Sequence, residues 1–169
     1  MTFDPADYGD TLAPLLDGDR RRPLDEGTPQ REARPALQAL SVESAFAGRR
    51  LDDPLMARCC VSGVWLLYDF LDDSHTISQS ISTPEGSFWH GVMHRREGDY
   101  SNAKYWFRNV GDHPVFDALD ERFGGWDPYE FVDRCADAVR SGAGRDECLD
   151  QQQAEWELLF DYCYRAAVG

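Results

Sequence analysis

The chain has 169 residues, 42% of them hydrophobic, which is enough to bury one core and excludes a disordered protein. Its formal net charge of −14 argues against general nucleic-acid binding, because an acidic surface repels phosphate backbones. No apolar run approaches the roughly 18 residues of a membrane span, and the first ten residues do not resemble a secretory signal. The five cysteines are odd in number and lack C-x-x-C spacing, so we expect free thiols and a cytoplasmic protein.

Proline follows an oxygen-bearing residue at four points that mark helix starts: Asp4-Pro5, Asp53-Pro54, Thr83-Pro84 and Asp127-Pro128. In such a pair, the side-chain oxygen caps the first backbone amides and proline fits the first helical position. Few segments alternate apolar and polar residues as half-buried strands do. The sequence therefore predicts an all-α fold.

The expected architecture is a single-domain irregular bundle of seven or eight helices around a central apolar helix at about 53–75. Residues 1–34 would form an N-terminal helix and a charged loop or mobile linker, and residues 35–169 the helical domain. Removal of residues 1–30 is then expected to leave the histidine site described below intact. We predict helices at about 5–16, 35–47, 53–71, 84–97, 100–109, 114–122, 128–140 and 145–167.

The central helix runs into a polar segment, DDSHTISQ, at residues 72–79. If the helix continues to residue 79, steps of three or four residues place Trp65, Tyr68, Asp72, His75 and Gln79 on one stripe. A carboxylate and an imidazole that emerge from a core helix need partners, because unpaired burial of polar groups costs free energy.

A second polar stripe lies on the predicted helix 84–97. His90 and His94 have the i, i+4 spacing of a metal-chelating pair, and Glu97 follows one turn later. Helical proteins build cofactor and metal sites from inward side chains on facing helices. The two stripes together predict a polar pocket lined by five residues: Asp72, His75, His90, His94 and Glu97.

Three interpretations of this pocket remain open. In the first, a divalent metal, zinc or iron, is held by His90, His94 and either Glu97 or His75. In the second, a metal-free pocket uses His90 or His94 as acid or base, oriented by Glu97 or Asp72. In the third, the network only stabilises helix packing. No P-loop or dinucleotide fingerprint is present, so we expect no nucleotide cofactor.

Basic and aromatic residues flank the histidines in the sequence. Arg95, Arg96 and Lys104 predict a small anionic ligand, because arginine forks bind carboxylate or phosphate and lysine supplies a point charge. Ion pairing with neighbouring acids is the structural interpretation of the same residues. Further ligand-binding candidates are the polar residues Gln79, Asp99, Asn102 and His113 and an apolar wall of Trp89, Tyr105 and Trp106, which could equally be core.

Residues 70–116, FLDDSHTISQSISTPEGSFWHGVMHRREGDYSNAKYWFRNVGDHPVF, resemble the signature of an uncharacterised protein family from planctomycete-type bacteria and fungi. The family pattern includes D-[DE]-S-H, W-H-x-[IV]-M-H-R-R-E-x-D-x-x-N-x-x-Y-W-F-R and H-P-V-F. Asp73 and Asn109 stand where the family commonly has glutamate and arginine. The resemblance implies no activity, only a shared motif that contains His75, His90, His94, Arg95, Arg96, Glu97, Asp99, Asn102 and His113.

The residues favour an enzyme with hydrolase- or lyase-type acid–base chemistry, metal-assisted in the first interpretation, that acts on a small polar, anionic molecule. The catalytic candidates would be His90, His94, Glu97, His75 and Asp72. The alternatives are a non-catalytic small-molecule binding protein and a structural or interaction protein. No membrane or nucleic-acid partner is expected, and nothing in the sequence marks an oligomer seam.

Overall fold

A computed structural model describes residues 2–169, and this part of the chain contains ten α-helices and no β-strand. The all-α prediction is confirmed, and none of these helices is both long and apolar enough to cross a bilayer. Two 3-10 turns, Pro5–Tyr8 and Arg31–Ala33, precede the first and second helices. The helices are α1 (Gly9–Leu16), α2 (Arg34–Gln38), α3 (Val42–Ala45), α4 (Pro54–Leu67), α5 (Leu71–Ser78), α6 (Pro84–Glu97), α7 (Tyr100–Val110), α8 (Pro114–Phe123), α9 (Pro128–Ser141) and α10 (Arg145–Val168).

The four predicted start signals all cap helical segments. Asp53 and Asp127 each accept two backbone N–H bonds from the first turns of α4 and α9. Thr83 accepts one from α6, and Asp4 caps the first 3-10 turn. These local signals succeed because capping needs only residues two or three positions apart.

The predicted helix 35–47 is two short helices in the structure. Ser41 and Ser44 form a reciprocal capping box, so α3 begins afresh after α2 ends at Gln38. The predicted central helix is likewise divided, into α4 and α5. These two divisions explain why the described chain has ten helices instead of the seven or eight expected.

Helix α4 is the central helix of the core, as predicted, and packs against α3, α5, α6 and α10. Its Gly63 allows α6 to approach closely, because a Cβ atom there would lie 2.7 Å from the ring of Trp89. The indole of Trp156 on α10 donates to the Gly63 carbonyl at 3.0 Å.

Helix α4 ends at Leu67 and does not continue to residue 79. Asp69 adopts a left-handed conformation with φ of 63°, which aspartate tolerates better than most residues, and α5 starts two residues later. Arg96 on α6 stabilises this break, since its Nη1 donates to the Leu66 carbonyl at 3.0 Å and its Nη2 pairs with Asp69 at 2.6 Å. The predicted stripe from Trp65 to Gln79 is therefore divided between two helices.

The N-terminal residues belong to the same core as the rest of the chain. Phe3, Tyr8, Leu12, Leu16 and Leu24 are all buried in it. The segment between α1 and the second 3-10 turn is a loop whose Leu24 is fully buried in this core. Backbone carbonyls of the loop also accept hydrogen bonds from the side chains of Arg96 and Gln152.

Candidate metal centre

Three histidine side chains from two helices converge at one point. One nitrogen from each of His75 on α5, His90 and His94 on α6 lies within 4.8 Å of the other two. The ring centroids are 4.6 Å apart for His75 and His90, 5.4 Å for His75 and His94, and 4.7 Å for His90 and His94. This arrangement offers three imidazole ligands to a single small cation.

The break at Asp69 determines how His75 reaches α6. Because α5 starts anew at Leu71, it packs against α6 on its own axis. Its inner side is fastened to α4 by Ser62, whose hydroxyl donates to the Ser74 carbonyl at 3.0 Å. His75 follows Ser74 directly and is half-buried, so its imidazole meets the histidines of α6.

His90 is the most enclosed of the three histidines. Its ring stacks on Trp106 of α7 with centroids 4.0 Å apart and planes 15° apart. Burial, with smaller contributions from the neighbouring His94 and His75, lowers the pKa of His90 to about 3. Its Nδ1 atom is buried and has no hydrogen-bond partner within residues 2–169.

His94 is held by groups on both sides of its ring. Its Nδ1 lies 2.8 Å from Oε2 of Glu97, and its Nε2 lies 3.1 Å from Nδ2 of Asn102. Asn102 is placed by the start of α7, where Asp99 accepts its backbone N–H at 3.1 Å. The sequence left open whether Glu97 or His75 would complete the cluster. The structure brings His75 to the other two imidazoles and leaves Glu97 bonded to Nδ1 of His94.

A cleft of about 670 Å³ reaches Glu97, the partner of His94, although none of the three histidines lines it. Met93 and Glu97 line it from α6, and Asp72 and Thr76 line it from α5. The Glu97 side chain is 51% exposed, so a single carboxylate both contacts His94 and faces the cleft. Five acids line this cleft and its only base is Arg34, which pairs with Asp73 at 3.3 Å.

Arg95 and Arg96 bind acids outside the histidine cluster. Arg95 is fully buried, with its Nη1 at 2.9 Å from Glu155 of α10 and its Cζ at 4.5 Å from the ring centroid of Phe131. Arg96 binds Asp69 and backbone carbonyls at the α4–α5 break. For both residues the ion-pair interpretation describes the structure, and a ligand-contacting role does not.

Lys104 likewise forms an ion pair, with its Nζ at 2.7 Å from Asp133. The fourth histidine, His113, caps α8 by accepting from the Val115 amide at 3.2 Å, and its Nε2 lies 3.5 Å from Glu85. His113 is therefore outside the three-histidine cluster.

The remaining candidates divide between the cluster and its surroundings. Asp72 lines the cleft but makes no hydrogen bond or ion pair with a histidine in the described part of the chain, and Gln79 is an exposed residue at the end of α5. Of the predicted aromatic wall, Trp89 is fully buried against Trp156, and Tyr105 is 51% exposed with its ring against Trp106. Only Trp106 reaches the imidazoles.

The sequence analysis did not identify Glu155 and Asp69, the acids that pair with Arg95 and Arg96. A signal was present for Glu155, which lies three residues after Gln152 and four before Leu159 and so shares their buried side of α10. A carboxylate at such a position indicates a buried cationic partner. Asp69 carried no comparable signal, because its role depends on the break in the chain.

Comparison of the chain with protein-family models, with curated proteins and with solved structures finds no significant match. Its fold and side chains define it as an all-α protein with a three-histidine cluster beside an acidic cleft.

Proposed function

We propose that this protein is a metal-dependent enzyme whose divalent cation, zinc or iron, is held by His75, His90 and His94. The convergence of three imidazole nitrogens within 4.8 Å carries the proposal. Three protein ligands leave a coordination position for water or substrate, which is the pattern of catalytic rather than structural zinc sites. Such a metal activates water and polarises carbonyl or phosphoryl oxygens, which suits hydrolase or lyase chemistry.

The lack of a hydrogen-bond partner for one histidine supports a cation between the three imidazoles. The His90 ring stacks on that of His94 and meets that of His75 edge-on, and its buried Nδ1 finds no acceptor or donor within the described chain. An unsatisfied buried polar atom costs about 1–3 kcal/mol, so a purely structural cluster would be expected to pair it. A metal ion bound at Nδ1 of His90 would offset this cost by accepting its lone pair.

Neighbouring residues provide the outer contacts that metal sites use. Glu97 binds the Nδ1 of His94 and orients the ring, so Nε2 would be its ligand nitrogen once the amide of Asn102, which lies 3.1 Å from it, turns away. Trp106 stacks on His90 and restricts its rotation. Glu97 also faces the cleft, where its carboxylate is positioned to take a proton from an incoming molecule.

The substrate would be a small polar molecule that enters the acidic cleft. The basic residues that suggested an anion are paired with acids elsewhere, so the cleft favours a neutral or cationic group near its mouth. We also propose a cytoplasmic location, which the five free, buried cysteines support because unpaired thiols persist in a reducing compartment.

The first test is metal content. Purified protein is analysed for bound metal, then stripped with a chelator and titrated with Zn²⁺ and Co²⁺ by calorimetry and absorption spectroscopy. We expect one ion per chain, with affinity reduced in His75→Gln, His90→Gln and His94→Gln by more than the roughly 10–100-fold typical of outer contacts. The matched control is His113→Asn, a histidine outside the cluster whose capping role asparagine can take over.

Retention of full Zn²⁺ affinity in His90→Gln, or no binding by the wild type, would contradict the metal site. Catalysis is tested with the Zn²⁺-loaded protein on model esters, amides and phosphoesters. Turnover by the wild type that is lost in His90→Gln supports the enzyme, and absence of turnover on all three classes counts against it.

One observation favours a second candidate, a non-catalytic role in helix packing. His90 is buried between His94 and the Trp106 ring, as a core aromatic would be. In that case, His90→Phe should preserve or raise the melting temperature of the metal-free protein, and Zn²⁺ should not raise it in the wild type.

A further inference from the structure

A second cleft, of about 520 Å³, lies between the N-terminal 3-10 turn and α10. Its polar lining consists of Asp7, Tyr8, Arg49, Asp161, Tyr164 and Arg165. We propose that this cleft binds a small monocarboxylate, with Arg49 and Tyr164 as the two donors. The site is separate from the histidine cluster and does not depend on a metal.

Arg49 provides a free positive charge. Its guanidinium lies over the Tyr164 ring, 5.5 Å from the centroid, but makes no ion pair or hydrogen bond with any residue between 2 and 169, although acids outnumber bases in this chain by 31 to 17. The neighbouring Arg165 differs, because its Nε binds Asp161 at 2.7 Å. A guanidinium left unpaired in an acidic protein is available to an external anion.

Tyr164 provides a buried donor without a partner. Its side chain is only 4% exposed, yet the hydroxyl makes no hydrogen bond in the described chain. The other tyrosine of the cleft is satisfied, because Tyr8 donates to Oδ1 of Asp161 at 3.0 Å. An orphaned buried hydroxyl is costly, and a ligand oxygen in the cleft would satisfy it.

The two donors face a common point beside Gly9. A methyl group placed on this glycine would lie 3.6 Å from Nε of Arg49, 3.7 Å from its Nη2 and 3.9 Å from Oη of Tyr164. Gly9 has a φ of 82°, which side-chain-bearing residues rarely adopt, and its missing Cβ leaves that space to a ligand. One carboxylate could accept from both the guanidinium fork and the phenol.

The charges of the cleft select the kind of anion. Two guanidiniums, of Arg49 and Arg165, face two carboxylates, of Asp7 and Asp161. Because Arg165 is bound to Asp161, Arg49 is the guanidinium of this lining that is left to match an external charge; it would neutralise a monoanion, whereas a dianion such as phosphate would leave an excess negative charge near Asp7. A monocarboxylate is therefore the favoured ligand class.

The experiment is an NMR titration of the full chain with acetate, propionate and inorganic phosphate at constant ionic strength. We expect both carboxylates to shift the Gly9 amide and the Arg49 side-chain signals saturably, and phosphate to bind more weakly. Arg49→Gln should weaken carboxylate binding about tenfold or more, the effect of losing one charge-assisted hydrogen bond. The control is Arg50→Gln, an adjacent exposed arginine that pairs with Asp52.

Tyr164→Phe separates binding from folding. It removes a hydroxyl that has no partner, so we expect an unchanged or higher melting temperature together with weaker carboxylate binding. Carboxylate binding should be unaffected in His90→Gln, which keeps this test independent of the metal proposal. Absence of a saturable shift, or equal affinity in Arg49→Gln and Arg50→Gln, would overturn the assignment.

Discussion

Oε2 of Glu97 lies 2.8 Å from Nδ1 of His94, one turn earlier on the same helix. The imidazole is mostly enclosed, with 10% of its side chain exposed, whereas the carboxylate is 51% exposed and lines the acidic cleft. This pair thus connects His94 of the cluster to the acidic cleft. A carboxylate in this position orients an imidazole and raises its basicity toward a metal.

Replacement of Glu97 by glutamine should weaken Zn²⁺ binding by about 10–100-fold, because the outer partner of His94 loses its charge. Stability should change little, since the pair is partly exposed. Calorimetric titration of metal-free protein measures the effect. Asp72→Asn is the matched control, an acid of the same cleft without a histidine contact; equal losses in the two variants would show a general charge effect instead.

Replacement of Arg95 by methionine should lower the free energy of unfolding by about 3–5 kcal/mol, because Glu155 would remain buried without its partner. Urea denaturation at neutral pH measures this loss. The double variant Arg95→Met, Glu155→Leu should recover much of this loss of stability. The single and the double variant should each still bind one Zn²⁺. A stable Arg95→Met protein with impaired ligand binding would favour the ligand-contacting role predicted from the sequence.

Leu24→Ala should cost about 2–5 kcal/mol, because this leucine of the N-terminal loop is fully buried. Thr28→Ala, at an exposed position of the same loop, should be nearly neutral. Removal of residues 1–30 should prevent folding, contrary to the expectation from the sequence, since it deletes core side chains and the acceptors of Arg96. Thermal denaturation followed by circular dichroism tests all three changes.

The pair of Glu85 and His113 predicts a pH dependence. Burial alone would raise the pKa of Glu85, but His113, the backbone amide of Glu85 itself and the hydroxyl of Thr83 outweigh it and lower that pKa below 4.5. A carboxylate with a depressed pKa contributes stability above its unfolded pKa and loses it as the pH falls through the folded value. The stability difference between wild type and Glu85→Gln should therefore shrink below about pH 4.5.

Denaturation curves at several pH values measure this difference. Glu121→Gln, which changes an exposed glutamate of α8, should show no such trend. A difference that stays constant from neutral to acidic pH would contradict the assigned role of Glu85.

Local patterns predicted much of this molecule. The helix starts at Asp53, Thr83 and Asp127 and the span of α6 from Pro84 to Glu97 all follow from residues a few positions apart. The pairing of His90 with His94 also needs only helical periodicity, because residues four apart share a face.

Contacts between distant segments were harder to predict. The sequence could not show that α4 ends at Leu67, because the break is stabilised by Arg96, some thirty positions away. Nor could it choose between anion binding and ion pairing for Arg95, whose acid lies sixty positions along the chain. Nothing in the sequence indicated that Arg49 and Tyr164 lie close together.

By itself, then, the sequence determined the helical class, most helix boundaries and the histidine pair of α6. These features arise from backbone capping and a repeat of 3.6 residues, which act over one or two turns. The tertiary structure decided that His75 completes the cluster, that the arginines neutralise buried acids and that the N-terminal loop belongs to the core. Those outcomes depend on which charges and apolar side chains leave water together, and only the assembled packing specifies that.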